Sequence, residues 1–147
     1  MSVVEKIHEV FIKNGKTLAF AESCTGGMLA HLITSVAGAS KFFLGSVVAY
    51  SNPMKEKLLG VKSDKTHGAV SAEVASEMLH GIFSISQADF AIAVTGFVDK
   101  EKIWAALGER NKPAKIISLQ LKGTRTQVIE ECSHKLLESL YELFTSR

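Results

Sequence analysis

Residues 17–27 read TLAFAESCTGG, and this stretch decides the fold. Its first five residues, 17–21, form a short apolar run that predicts a buried strand. A glycine-rich turn follows, and a helix is predicted over about residues 28–36. A turn between a strand and a helix leaves backbone N–H groups free to hold a phosphate or the oxygen of a tetrahedral intermediate. The sequence therefore predicts an α/β unit with Ser23 at the end of a strand.

The rest of the chain alternates apolar runs with amphipathic segments. Nearly continuous apolar character predicts buried strands at residues 43–50, 88–95 and 115–121. Helical spacing of apolar residues predicts helices over residues 2–14, from Ser71 onward and from Thr124 onward. Asn52 is expected to cap a further helix that ends at Gly60, and a short helix carrying Trp104 is expected over residues 100–108. Such alternation is typical of an α/β fold with three layers, α/β/α.

Composition limits the class of protein. The 147 residues suit a single domain, 1–147, and the formal charge of +2 is too small to indicate a nucleic-acid surface. No stretch reaches the roughly 18 uninterrupted apolar residues that a membrane helix needs. The two cysteines, Cys24 and Cys132, have no metal-type spacing, and no metal-ligand cluster is apparent. We therefore expect a cytoplasmic protein that binds neither a membrane nor a nucleic acid.

Three side chains stand where α/β folds gather their binding sites, at the carboxyl ends of strands: Ser23, Tyr50 and Thr95. A serine hydroxyl is a weak nucleophile until a base takes its proton. Lys55 can be that base if burial keeps its amine neutral. The alternative is that Ser23 only shapes a turn and that Lys55 is a solvated helix residue. Cys24 is a second possible nucleophile, or else a small buried side chain.

Arg125 lies at the predicted start of the last helix. A cation is disfavoured there, because the positive end of the helix dipole repels it. A bound anion such as a phosphate would offset the unfavourable field. The position of Arg125 therefore indicates an anionic partner.

Four separated motifs resemble the CinA C-terminal domain family, the nicotinamide-nucleotide amidohydrolases. They are AESCTGG at residues 21–27, VVAYSN at 47–52 followed by Lys55, LGV at 59–61 and HGAVS at 67–71. The match is close over residues 16–96. It implies a three-layer α/β/α sandwich with a mixed, mostly parallel sheet. It also implies hydrolysis of the carboxamide of nicotinamide mononucleotide to nicotinate mononucleotide and ammonia.

The resemblance implies a role for each matching residue. Ser23 corresponds to the nucleophile, Lys55 to the base and Tyr50 to a residue that assists proton transfer or positions the lysine. The implied substrate-binding residues are Thr25, Gly26, Gly27, Asn52, Thr95, Gly96 and Arg125, the last of which meets the substrate phosphate. No metal or organic cofactor is implied, and a homo-oligomer is expected.

One segment departs from the family pattern. After the Thr-Gly pair, active relatives carry a loop of the form GIAGPGGG, whereas residues 97–104 here read FVDKEKIW. Glycines let a backbone approach a ligand closely, so bulky and charged replacements predict a reshaped or filled pocket wall. Three hypotheses about function remain. The retained residues favour an amidohydrolase that acts on nicotinamide mononucleotide, and the missing glycine loop favours a catalytically degenerate nucleotide-binding or scaffold protein. The third hypothesis is a hydrolase of another amide, with the Trp104 segment as a new lid.

Overall fold

Five strands form one mixed sheet in the computed structural model, which describes all residues from Met1 to Arg147. The strands are β1 Leu18–Glu22, β2 Phe43–Val48, β3 Phe90–Phe97, β4 Lys102–Glu109 and β5 Lys115–Leu119. Their order across the sheet is β2-β1-β3-β4-β5. β1 pairs in parallel with β2 and β3, whereas β4 is antiparallel to both of its neighbours. Four strands therefore run in one direction and only β4 opposes them, as expected for a mixed, mostly parallel sheet.

Helices cover both faces of the sheet. They are α1 Val3–Asn14, α2 Met28–Thr34, α3 Asn52–Leu59, α4 Asp64–His67, α5 Ala72–Ser86 and α6 Arg125–Thr145. α1, α2 and α6 pack together on one face, and α3 and α5 pack together on the other. The predicted three-layer sandwich is confirmed. None of the helices combines the length and the apolar character needed to cross a bilayer.

The prediction for residues 100–108 was wrong, because this segment is strand β4 and not a helix. Lys102, Ala105, Ala106 and Leu107 favour helix by intrinsic propensity. The segment lies between β3 and β5, however, and its residues from Ala105 to Gly108 are buried. Burial between two strands outweighs propensities that differ by only fractions of a kcal/mol per residue.

The two faces of the sheet have different cores. Under α1 and α6, the rings of Phe11, Phe42, Phe90 and Phe144 stack with centroids 4.7–5.5 Å apart. The opposite face presents small residues, namely Ala19, Ala21, Ala91, Ala93 and Ala106. Small side chains let α5 lie close to the sheet. The start of α5 and the first turn of α3 lie next to the carboxyl ends of the parallel strands.

The ends of α3, the helix that carries Lys55, and the start of α5 are fixed by capping residues. α3 begins after Ser51, whose hydroxyl accepts from the N–H of Met54, so the cap is Ser51 and the prediction of Asn52 as the cap was one residue late. α3 ends at Gly60, which adopts a left-handed backbone with φ 71°. α5 begins after Ser71, whose hydroxyl caps the N–H of Val74.

Candidate active site

A cleft of about 300 Å³ opens at the carboxyl ends of β1, β2 and β3. One part of its wall comes from Ser23 and Tyr50, which follow β1 and β2, and from Gly96 and Phe97, the last two residues of β3. The rest comes from Asn52 and Lys55 of α3 and from Ala69 and Val70 before α5. The structure thus brings together the serine and the lysine that the sequence singled out, although 31 residues separate them in the chain.

The turn that carries Ser23 is anchored by the carboxylate of Glu22, which is fully buried. Glu22 Oε1 accepts from Thr25 Oγ1 at 2.7 Å and from the N–H of Leu29 at 3.0 Å. Glu22 Oε2 accepts from Ser46 Oγ at 2.7 Å and from the N–H of Ala30 at 3.2 Å. One carboxylate therefore joins β1, β2 and the first turn of α2, and it fixes the backbone on which Ser23 stands.

Lys55 is buried, with 3% of its surface exposed. Burial lowers the pKa of its amine, because a charged ammonium loses hydration there. The carboxylate of Asp64 acts in the opposite direction and raises the pKa of Lys55. Asp64 Oδ1 is itself buried and accepts no hydrogen bond. Asp64 was missed by the sequence reasoning, which treated residues 62–68 as a polar connection.

No hydrogen bond joins the Ser23 hydroxyl to the Lys55 amine, and neither group bonds to another protein atom. Both face the same cleft and are free to bond to a molecule in it. Hydrogen bonds between catalytic groups are often long in a free enzyme and shorten only when substrate is bound. The roles of Ser23 as nucleophile and Lys55 as base stay predictions.

The remaining predicted residues at the cleft have distinct environments. Tyr50 is 63% exposed and stands at the rim, and Asn52 is also exposed. Gly96 contributes backbone to the wall. Thr95 is fully buried, and its hydroxyl donates to the carbonyl of Ala69 at 2.8 Å. Thr95 thus ties the end of β3 to the segment before α5, and its hydroxyl already has a partner.

Five predicted binding residues do not line the cleft, namely Thr95 and four others. The hydroxyl of Thr25 is bonded to Glu22, and the N–H of Gly26 donates to the carbonyl of Ser23 at 3.0 Å. Gly27 precedes α2 as its cap. Arg125 is exposed at the first residue of α6. Their roles toward a substrate stay predictions.

The segment that replaces the family's glycine loop does not fill the cleft. β3 continues to Phe97, a 3-10 turn spans Val98–Lys100, and β4 starts at Lys102. Trp104 pairs with Thr95 inside the sheet and packs against the core under α5. The hypothesis of a lid built on the Trp104 segment was therefore wrong, because this segment is a central strand. Of the residues after Gly96, only Phe97 borders the cleft.

Two other features with possible chemistry are inert. Burial raises the pKa of the Cys24 thiol to about 12, so Cys24 carries no thiolate near neutral pH. Larger hollows of about 460 and 450 Å³ flank α5 and share Ser76, His80 and Ser84. No hydrogen bond joins His80 to either serine, and none of the site residues predicted from the sequence lines either hollow.

Comparisons with known proteins agree with the four motifs. The sequence profile of the CinA C-terminal domain matches residues 1–144. A CinA-like protein of Chlorobium phaeobacteroides is 38% identical over a 162-residue alignment that covers 100% of this chain and 38% of the relative. A CinA-like protein of Thermotoga neapolitana is 49% identical over 98 residues, 63% of this chain and 24% of the relative. The chain thus spans about a quarter to two-fifths of the length of these curated relatives.

The alignment to the Chlorobium protein is longer than the 147 residues of this chain, so that relative carries residues that this chain lacks.

Solved structures share this fold over nearly their whole length. A competence/damage-inducible protein from Agrobacterium tumefaciens superposes with a TM-score of 0.92 at 32% identity, covering 96% of this chain and 93% of that one. A CinA superfamily protein from Klebsiella pneumoniae superposes with a TM-score of 0.94 at 27% identity, covering 99% and 97%. Because the profile match and the shared fold both extend over almost all of its residues, this chain belongs to the CinA C-terminal domain family.

Proposed function

We propose that this protein hydrolyses the carboxamide of nicotinamide mononucleotide, giving nicotinate mononucleotide and ammonia. The observation that carries the proposal is the presence of Ser23 and the buried Lys55 in one cleft. A serine hydroxyl needs a neutral base beside it, and burial makes a lysine such a base. Family membership supports the same chemistry, since the matching positions carry a Ser-Lys pair.

In the first half of the reaction, the neutral amine of Lys55 accepts the proton of the Ser23 hydroxyl. Ser23 Oγ attacks the carboxamide carbon, and the negative charge of the tetrahedral intermediate resides on the former carbonyl oxygen. The C–N bond then breaks as the Lys55 ammonium gives its proton to the departing nitrogen. Ammonia leaves, and an ester joins Ser23 to the nicotinoyl group.

In the second half, Lys55 is neutral again and accepts a proton from water. The resulting hydroxide attacks the ester carbon, and the bond to Ser23 Oγ breaks as the serine regains a proton from Lys55. The product is the nicotinate carboxylic acid, which ionises at neutral pH. Tyr50, with its exposed side chain at the rim, assists proton transfer or positions Lys55 through a bound substrate.

Ammonia release from nicotinamide mononucleotide by the wild type, Lys55→Ala and Lys55→Arg tests the role of the base. Both variants should lose about 10²–10⁴-fold in rate, because alanine has no base and a guanidinium stays protonated. Lys57→Arg, an exposed change in the same helix, is the matched control and should keep full activity. Full activity of Lys55→Arg would exclude Lys55 as the base.

A second candidate function is nucleotide binding without turnover. The observation that favours it is the turn Val98–Lys100, which stands where active relatives carry a glycine-rich loop. Titration calorimetry with nicotinamide mononucleotide separates the two functions. Heat of binding without ammonia release supports the degenerate protein, and ammonia release that stops in Lys55→Ala supports the enzyme.

We also propose that the protein acts in the cytoplasm. Both cysteines are free and buried, as is common in proteins of the reducing cytoplasm. We also propose a homo-oligomer, which sedimentation velocity would distinguish from a monomer of 15.9 kDa.

A further inference from the structure

Phe97 forms the outer wall of the cleft, and Lys100 lies against its ring without bordering the cleft itself. Phe97 borders the cleft and is 39% exposed. Lys100 Nζ lies over this ring, 4.9 Å from its centroid. A cation at this distance from a ring face is held there by the ring quadrupole. The positive charge of Lys100 is therefore kept near the mouth of the cleft.

The short turn holds this pair in place. Phe97 is the last residue of β3 and pairs with Lys102 across the hairpin. Val98 is buried in the core under α6, which anchors the turn from below. Glu101 closes the turn in a left-handed conformation with φ 54°. The wall is thus part of a tight hairpin and not of a long loop.

The charge of Lys100 is not neutralised within the protein. The side chain is exposed and takes part in none of the four ion pairs, although the exposed Asp99 and the half-buried Glu101 are its neighbours in sequence. Arg125, the cation expected to meet a substrate phosphate, does not line the cleft. Lys55 lines the cleft but is buried. Lys100 is exposed and stands over the ring of Phe97, which forms the outer wall, so its charge is available to an anionic ligand.

We propose that Phe97 and Lys100 determine substrate specificity, so that the cleft selects an aromatic amide that carries a phosphate or another anionic group. The ring of Phe97 contacts the aromatic ring of the substrate, and the ammonium of Lys100 pairs with the anion outside the cleft. This assignment rests on the proposed function, because it takes the cleft with Ser23 as the substrate site. It gives the segment that replaced the glycine loop a role in recognition.

Calorimetry on the Ser23→Ala protein tests this proposal without turnover. Two ligands are compared, nicotinamide mononucleotide and nicotinamide riboside, which lacks the phosphate. Adding Lys100→Ala should raise the dissociation constant of the mononucleotide about fivefold and leave that of the riboside unchanged. Adding Phe97→Leu should weaken both ligands about threefold. Adding Lys13→Ala, a change at an exposed lysine of α1 that does not line the cleft, is the control and should change neither.

Three results would overturn the proposal: no binding of the mononucleotide, equal weakening of both ligands by Lys100→Ala, or no effect of Lys100→Ala on either. Circular dichroism confirms that each variant is folded. The proposed function is tested separately by ammonia release from the wild type. A wild type that releases ammonia but binds its substrate independently of Lys100 would refute only the proposal that Phe97 and Lys100 determine substrate specificity. A protein that shows the predicted binding pattern without ammonia release would refute only the hydrolysis.

Discussion

Burial of Lys55 destabilises the folded protein but favours the neutral amine that the proposed reaction needs. Its pKa in the folded protein is lowered by burial, whereas the unfolded chain keeps the ordinary value of about 10.4. Below the ordinary value the unfolded chain binds a proton more readily, so the folded protein is destabilised there. This cost is complete below the lowered pKa and disappears as the pH rises above the ordinary value. The same lowering of the pKa increases the fraction of neutral amine, the form that the proposed catalysis needs.

The rate of ammonia release should therefore rise with pH through the lowered pKa of Lys55 and then level off. The reason is that only the neutral amine accepts the serine proton. Measurement of kcat/KM for nicotinamide mononucleotide across the pH range checks this. A rate that falls over the same range would show that the active form of the residue is the charged one.

Lys55→Met should raise the melting temperature at pH 7, because it removes a buried amine and keeps a side chain of similar length. The gain over wild type should shrink as the pH approaches about 10.4, where the unfolded chain also loses its proton. Melting followed by circular dichroism at several pH values measures both effects. A gain that does not depend on pH would show that it comes from the packing of the methionine and not from removal of an amine with a lowered pKa.

Glu22 is the residue on which the Ser23 turn depends. In Glu22→Gln one carboxylate oxygen becomes an NH₂ group that faces donors, so at least one of the four hydrogen bonds is lost. We expect a loss of about 3 kcal/mol in the free energy of unfolding. Urea denaturation measures it, with Glu9→Gln on the exposed face of α1 as the control. An unchanged midpoint for Glu22→Gln would contradict the anchoring role.

At the scale of elements, the contact between α3 and α5 positions Lys55. Gly81 of α5 faces the backbone of Leu59, and a Cβ added there would overlap the Leu59 carbonyl oxygen and lie 2.8 Å from its carbonyl carbon and Cα. Glycine inside a helix is otherwise less favourable than alanine by about 1 kcal/mol. Its presence in α5 is therefore explained by the close approach of α3, the helix that carries the proposed base.

Gly81→Ala should lower the free energy of unfolding by about 2 kcal/mol, although alanine is the better helix former. The displaced α3 should also reduce the rate of ammonia release from the folded fraction. Ser84→Ala, an exposed change in the same helix, is the control and should be neutral or slightly stabilising. A stabilised Gly81→Ala protein would show that α3 and α5 are not packed as described.

Sequence reasoning predicted β1, β2 and β3 correctly but mistook β4 for a helix, and the reason is physical. β1, β2 and β3 were predicted because their apolar runs end in recognisable turns, and their observed ends differ from the predicted ones by no more than two residues. β4 was mistaken for a helix because its pairing partners lie elsewhere in the chain. Local patterns specify burial, whereas strand pairing depends on contacts that the pattern does not contain.

For the candidate site, the same distinction holds. Ser23 and Tyr50 share a cleft because they follow parallel strands, and the rule on strand ends predicts this. The same rule selects Thr95, which is fully buried, bonds to Ala69 and does not line the cleft. The lowered pKa of Lys55 and the neighbouring Asp64 depend on tertiary burial, so only the structure shows them. The proposed role of Phe97 could not be predicted from the sequence either. The sequence shows that the glycine loop is replaced, but only the structure shows that the turn Val98–Lys100 leaves the cleft open.

For the whole molecule, stability and the site are spatially separated. The cluster of Phe11, Phe90 and Phe144 lies at the start of β3, whereas the cleft lies at its end. Eight strand residues span about 25 Å, so changes in the cluster should not reach the site.

Phe11→Leu should lower the free energy of unfolding by about 1.5 kcal/mol, because it leaves space between three aromatic rings. The rate of ammonia release per folded molecule should be unchanged. Urea denaturation and an activity assay at 15–20 °C, about the temperature of greatest stability for many proteins, measure the two properties. A loss of activity in the folded fraction would show that the cluster and the cleft are coupled.

The account as a whole depends on Ser23 attacking an amide carbon with Lys55 as its base. The most direct test is ammonia release from nicotinamide mononucleotide by wild type and by Ser23→Ala, purified identically and matched for folded fraction. We predict steady release by the wild type and a loss of at least about 10³-fold in Ser23→Ala. Equal rates in the two proteins, or no release by either, would contradict the account.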